Sequence, residues 1–314
     1  MDVGVLIPQG WTGEYDGWDA ARAWARTVWL AQQADTLGFE SIWLFDHFHT
    51  VPEPTEEITF EAFTGLSALA ALTTRARLGH MVTCAGYRNP ALVAKMIATM
   101  DVISGGRIDF GVGAGWKEDE WRAYGYGFPS LRERQTRLRD ALEISRQMLR
   151  QTHATYAGET ASVTDAINIP QPVQRPSVPI VVGGNGQRVT WGLAAKYADE
   201  LNLDGMQPDE VREVMPVIAE RCREVGRDPS TLPVSIHIWW DRLRRGDPRA
   251  LLEGYREAGV SRAITLVKSA ATDDEALPKF RAAAVDSGAT MGTLGRWTGC
   301  GMLIASVTDA VSPA

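Results

Sequence analysis

The chain has 314 residues, 45% of them apolar and 23% charged, with a formal net charge of −7. Such a chain folds in water around a sizeable core, and without a lysine- or arginine-rich block it lacks the electrostatic footprint of a nucleic-acid binder. Its three cysteines, Cys84, Cys222 and Cys300, are far apart and without Cys-x-x-Cys spacing, which argues against a disulfide framework or a zinc site and for a reducing, cytoplasmic setting. A strand-like start without a basic leader, and no apolar run of about 18 residues, point to a protein neither secreted nor membrane-spanning.

Residues 3–8 read as a first buried strand, and 9–17 as a Gly-rich loop holding Trp11 and Tyr15. A helix follows, with Trp24, Val28 and Ala31 at helical spacing and Gly38 as its stop. The chain is organised around residues 41–49, an uncharged apolar run that ends abruptly in Asp46, His47 and His49. That pattern is a strand crossing a hydrophobic core and delivering ionisable groups at its C-terminal edge.

Pro52 and Pro54 stiffen the loop over 50–57, ahead of a helix over 59–74 and a third strand over 77–84. A helix over 91–103 takes Pro90 in its first turn and stops at Gly105 and Gly106. Next come a strand over 107–113, a charged loop or short helix over 117–124, and a long helix over 129–150. The arginines of that long helix interleave with Glu133, Asp140 and Glu143, as on a solvated or subunit-facing surface rather than a phosphate grip.

Residues 151–177, with Pro170, Pro172 and Pro176, form an insertion with short strands. Strands over 178–182, 200–203, 234–239 and 262–267 then alternate with helices over 187–196, 209–225, 248–258 and 275–285. Eight strand-then-helix units predict an α/β fold, a (β/α)8 TIM barrel, as one domain over 1–289. The insertion falls between the fourth helix and the fifth strand, and 290–314 is a tail rich in Gly, Ser and Thr.

In a barrel, every loop that follows a strand opens on one face, where the chemistry is sought. That face collects Gln9 and Trp11, Asp46 and His47, Thr83 and Arg88, residues 113–120 and 183–188, Asp204, His237 with Trp239 and Trp240, and Lys268. Gly111-x-Gly113-x-Gly115 is no dinucleotide fingerprint, because Trp116 stands where the last glycine is needed. Small residues there let the backbone approach a flat ring, with Trp116 covering part of the pocket. Gly183-Gly184-Asn185-Gly186 leads into a helix as a candidate phosphate loop, with Arg88 and Arg188 as nearby charges. His47 and His49 alternate like strand neighbours, but with Asp46 they lack a further ligand at suitable spacing, so no metal is expected. Trp11, Phe48, Trp239 and Trp240 are candidate walls for substrate.

With these residues in view, the chain resembles the bacterial luciferase-like monooxygenase superfamily, and within it the branch that uses the deazaflavin coenzyme F420. The resemblance rests on four ordered blocks: 42–48, 87–95, 104–116 (Ser104-Gly105-Gly106-Arg107 with Gly111-Val112-Gly113-Ala114-Gly115-Trp116) and 179–184. It implies a barrel with the deazaflavin across its C-terminal mouth and the phosphodiester tail toward the loop after the fifth strand. The implied cofactor contacts are Asp46 and His47 against the ring, Met81, Val82, Thr83, Arg88 and Asn89, Gly113, Ala114, Gly115 and Trp116, then Gly183, Gly184, Asn185, Gly186 and Arg188. It also implies a non-prolyl cis peptide at Met81–Val82 and a homodimer paired through helices on the barrel's flank.

The expected activity is hydride transfer between F420 and a small organic substrate in a largely apolar pocket. His47 would move the accompanying proton, Asp46 would orient its ring, and Glu120 would stand in reserve. The phosphate-sugar dehydrogenases of the group carry an acid where Trp116 stands and several cations for the substrate phosphate, whereas the late strand ends here offer chiefly Lys268. A sugar phosphate is therefore not the expected substrate. The alternatives are an FMN-dependent monooxygenase on the same fold, or a barrel that binds a flavin-like ligand as carrier or sensor.

Overall fold

The structure, a computed structural model, describes residues 1–239 and 246–292. Its strands are β1 (Asp2–Leu6), β2 (Ser41–Leu44), β3 (Arg77–His80), β4 (Thr83–Cys84), β5 (Ile108–Gly113), β6 (His153–Ala157), β7 (Ser162–Ile167), β8 (Ile180–Gly183), β9 (Glu200–Asp204), β10 (Val234–Ile238) and β11 (Arg262–Leu266). Parallel pairing runs around a closed ring, β1–β2–β3–β5–β8–β9–β10–β11, with β11 returning to β1 and β3 bonded to β5. Eight parallel strands thus close the expected barrel. Both faces of these strands are covered, which is why β2, β5 and β10 are buried at every position.

The outer helices are α1 (Ala20–Leu37), α2 (Ala62–Leu72), α3 (Pro90–Ser104), α4 (Glu118–Ala123), α5 (Leu131–Met148), α6 (Thr190–Tyr197), α7 (Pro208–Glu224), α8 (Pro248–Glu257) and α9 (Ala276–Asp286). Their ends carry local signals: Asp19 accepts from the Arg22 amide to start α1, and Gly38, at φ 84°, ends it. The helix expected from residue 59 begins only at Ala62, because the Glu61 carboxylate takes the amides of Phe63 and Thr64 as its cap. The insertion is an antiparallel hairpin of β6 and β7, fastened to α5 where Asp140 accepts from Tyr156 Oη and the Thr160 amide.

Two expectations about strands are corrected. The single strand expected over 77–84 is broken at the cis peptide bond between Met81 and Val82, so that β3 pairs with β2 and β5 while β4 pairs with the far end of β5. His47 and His49 do not alternate along a strand, since β2 stops at Leu44.

Inside the barrel lies a second core, separate from the one under the helices: Leu6, Trp11, Trp43, Phe45, Met81, Val181, Ile264 and Leu266. Trp43 fills its middle, and a Cβ on Gly79 would come within 2.3 Å of the indole. Beneath it, at the N-terminal ends of the strands, Arg262 donates to Asp109 (2.9 Å), Glu200 (2.7 Å) and Glu40 (3.1 Å). The barrel is plugged from below, so its open end is the C-terminal one. Of the tail, Thr290 bridges to Asp2 and the Gly292 amide donates to Gly38; its remaining residues, 293–314, lie outside the described residues, with Cys300 among them.

Candidate active site

At the open end, Gln9 grips residue 45 from both sides: the Phe45 amide donates to its Oε1 (2.6 Å) and its Nε2 donates to the Phe45 carbonyl (3.0 Å). This fixes the chain where β2 ends and so fixes the two ionisable residues that follow. They point to different partners.

Asp46 is buried and does not orient His47, contrary to expectation. Arg88 donates to its two oxygens (2.8 and 2.9 Å) and the Cys84 amide donates to Oδ2 (2.9 Å). Arg88 accordingly does not join the glycine loop after β8; it binds Asp46 and Glu61 (2.7 Å) and lies 4.4 Å above the Phe63 ring. Both oxygens of Asp46 are thereby committed to Arg88, and a bidentate pair of this kind holds a fixed geometry.

His47 is paired instead with the residue expected in reserve. Its Nδ1 lies 2.7 Å from Glu120 Oε2, and its ring stacks on Trp11 at 4.2 Å with planes 1° apart. Glu120, on α4, is fully buried and also accepts from the Phe48 amide (3.0 Å) and Tyr87 Oη (3.1 Å). Burial pushes its carboxyl up, but the His47 hydrogen bond and charge, with the Phe48 amide, outweigh this and hold it below the usual range. An ionised Glu120 can only accept, so His47 Nδ1 carries the hydrogen and Nε2 is the ring's acid–base atom. Burial, then the negative charges near it, push the Tyr87 hydroxyl up, so it stays a donor.

Facing His47 across a cleft of about 340 Å³ is a wall of small residues. Val82 projects into it, and the strands beside it make room: a Cβ on Gly113 would lie 2.8 Å from Val82 Cγ2, and one on Gly183 2.9 Å from Cγ1. Met81, Ala114, Gly115, Gly184, Asn185 and Gly186 continue this lining. Trp116 lines the cleft at its rim, 59% exposed, with its ring edge-on to His47 at 5.8 Å. Lys117 is the one lysine or arginine lining the cleft among the described residues, and Asp119 holds its amine (2.5 Å).

Several expected contacts lie elsewhere. Thr83 is buried behind the lining, Asn89 caps α3 by accepting from the Ala91 amide, and Arg188 is exposed away from the cleft. Phe48 packs on Tyr87 (4.7 Å) and Tyr124 (4.3 Å) rather than walling the cleft, and Lys268 donates to the Thr12 carbonyl. Trp11 and Trp239 do line it, and Trp240 lies outside the described residues.

Two features escaped the sequence. One is the convergence of His47 and Tyr87 on Glu120; the other is a second acid–histidine pair, His237 Nδ1 to Asp204 Oδ1 at 2.9 Å, across β10 and β9. The signal for Glu120 was present in the acidic run 118–120 just beyond the β5 glycines, but nothing local says which of three acids turns inward. No group of three or more residues with metal-ligand chemistry occurs among the described residues, and no described helix is long and apolar enough to cross a membrane.

Residues 1–241 match the family described as luciferase-like monooxygenase. The chain is 29% identical over 271 residues to an uncharacterised protein of Mycobacterium tuberculosis (strain H37Rv), covering 81% of this chain and 91% of that one. It is 33% identical over 214 residues to the F420-dependent glucose-6-phosphate dehydrogenase of Kineococcus radiotolerans, covering 67% of this chain and 61% of that one. An F420-dependent secondary alcohol dehydrogenase, solved with an F420–acetone adduct, shares the fold with a TM-score of 0.76 at 20% identity, covering 91% of this chain and 98% of that one.

Proposed function

Because the chain belongs to the luciferase-like monooxygenase family, we propose that it is an oxidoreductase moving a hydride between coenzyme F420 and a small organic substrate. The observation that carries this reading is the meeting, in one cleft, of the His47–Glu120 pair with a wall narrowed to glycine at Gly113 and Gly183. A Cβ at either position would meet Val82, so glycine there seats Val82 and keeps the wall low enough for a flat ring. The F420-dependent relative supports the choice of coenzyme.

Val82, Gly113 to Gly115 and Gly183 to Gly186 would hold the coenzyme. When bound it would supply two-electron hydride chemistry, having carbon where a flavin has its reactive nitrogen. The protein's own part is acid–base work. His47 takes or gives a proton at Nε2, Glu120 stabilises the imidazolium that results, and Tyr87 and the Phe48 amide keep Glu120 in place. Asp46 acts at one remove: tied to Arg88 and the Cys84 amide, it joins the β2 end to β4, just beyond Val82.

Lys117 is already held by Asp119 and Lys268 is turned to the Thr12 carbonyl, so the described cleft offers no free cation for a phosphate. This favours a substrate without one, unlike that of the sugar-phosphate relative. The protein is further proposed to work in the cytoplasm as a homodimer, which light scattering on the purified chain checks.

The deciding test is titration with F420 and, separately, FMN, followed by cofactor fluorescence. Quenching by F420 alone is the expected result. Quenching by FMN alone would move the reading to a reduced-flavin monooxygenase, and quenching by neither would leave the cleft without its coenzyme.

A further inference from the structure

The cleft has two acid–histidine pairs, and the reaction proposed above uses one. His237 is 4% exposed, yet it lines the cleft. Its Nδ1 is taken by Asp204, whereas its Nε2 has no hydrogen-bond partner among the described residues. A buried imidazole nitrogen left unpaired costs the desolvation of a polar group, and in native proteins such an atom calls for an explanation, a bound partner among them.

The pair is built rather than incidental. Asp204 is half exposed, but the Asn185 side chain holds its backbone from both sides: the Asp204 amide donates to Asn185 Oδ1 (2.9 Å) and Asn185 Nδ2 donates to the Asp204 carbonyl (2.7 Å). Asn185 belongs to the glycine loop that walls the cleft, so the loop proposed to hold the coenzyme also sets the carboxylate that orients His237. The imidazole is further fixed by Phe45, edge-on at 5.6 Å, and by Trp239 at 5.1 Å. Phe45 also flanks His47, at 6.5 Å. Both imidazoles therefore pack against one phenyl ring and line the same cleft.

We infer that His237 binds a second oxygen of the substrate, so that the cleft selects molecules with two oxygen functions, the reacting one at His47 and the other at His237 Nε2. The second oxygen is an uncharged hydroxyl: with Nδ1–H donated to the Asp204 carboxylate, Nε2 of the neutral ring only accepts, and a carbonyl finds no donor there. The Asp204 carboxylate lies beside His237, and no unpaired lysine or arginine lines the described cleft to offset an anion there. This inference deepens the hydride-transfer reading and rests on it for the role of His47.

The test uses protein labelled with 15N at histidine, loaded with F420, and titrated with 2,3-butanediol, 2,4-pentanediol and 2,5-hexanediol. The matching 2-alkanols and 3-hydroxybutyrate serve as comparisons, and His237→Gln assigns the ring signals. In the wild type the His237 ring nitrogens shift with at least one diol, which binds on the order of tenfold more tightly than its 2-alkanol, the worth of one buried hydrogen bond. That preference disappears in His237→Gln and shrinks in Asp204→Asn, a change at a half-exposed side chain that tests orientation should the first variant not fold. Equal binding of diols and 2-alkanols, or an unmoved His237 signal, would overturn the contact. Preference for 3-hydroxybutyrate over every diol would overturn the uncharged class. The titration is repeated without F420, so it decides the His237 contact even if fluorescence shows that the coenzyme does not bind, a result that would count against the hydride-transfer reading alone.

Discussion

His47 and Asp46 are neighbours in sequence, and adjacency suggested a pair. Their side chains part, however, and Asp46 turns to Arg88. The partner of His47 therefore comes from 73 residues away, at Glu120. The sequence showed the residue types of the site but not their pairing, since pairing depends on which side chains turn inward. Glu120→Gln keeps the shape and loses the charge that stabilises the imidazolium, so turnover should fall by about 100-fold while F420 still quenches. Turnover within a few-fold of wild type would remove Glu120 from the proton path. A second buried histidine makes a different prediction. His80 stacks on Phe63 at 4.1 Å, and burial pushes its pKa down from 6.5 to about 4, only partly offset by the charge of Asp46. Its folded pKa is thus below its unfolded one, so its contribution is complete above pH 6.5 and is lost as pH falls toward 4. That loss is worth about 3 kcal/mol at most. Urea unfolding of His80→Phe between these limits should show a shallower dependence on pH than wild type; parallel curves would mean that His80 is not buried uncharged.

At the scale of elements, helices and strands were legible wherever apolar spacing and caps agreed, as at Asp19 and Gly38 around α1. The break between β3 and β4 was not, because apolar residues on both sides of Met81–Val82 suit an unbroken strand, and only the family resemblance pointed to that bond. Its consequence for the site is where Val82 goes. The side chain enters the mouth between β5 and β8, and those strands admit it because Gly113 and Gly183 carry no Cβ. Gly183→Ala should push Val82 into the cleft and weaken F420 binding by about tenfold, the effect of overpacking by one methyl group. Val82→Ala in the same chain should restore much of that affinity. Fluorescence titration of the single and double variants measures the coupling, and additive losses would separate Val82 from the cradle.

The whole molecule was the scale at which the fold was most readable and its charge balance least. Each strand–helix unit is a local pattern, so eight of them in order announce a barrel before any contact is known. The ions that plug its lower end come from five separate stretches, and Arg262 reaches Glu40 across 222 residues of sequence, which no local pattern can encode. Burial raises the Asp109 carboxyl, but the charges of Arg262 and Arg77 outweigh this and hold it below the usual range. The nearby Glu200 is raised, since there burial prevails over the pull of Arg262. Arg262 is thus the centre on which several buried acids depend. Arg262→Met fills similar space but leaves those acids without their partner, and removing one side of a buried ion pair costs about 3 to 5 kcal/mol. The loss should appear as a lower urea midpoint with an unchanged slope, because the fold is weakened without altering the surface that unfolding exposes. F420 affinity, set at the opposite end of the barrel, should stay at its wild-type value in the folded variant. A stability change below about 1 kcal/mol would mean that the remaining charges rearrange or take in water, whereas a fall in F420 affinity would tie the plug to the cleft through Trp43, whose ring lies 5.0 Å from the Arg262 guanidinium.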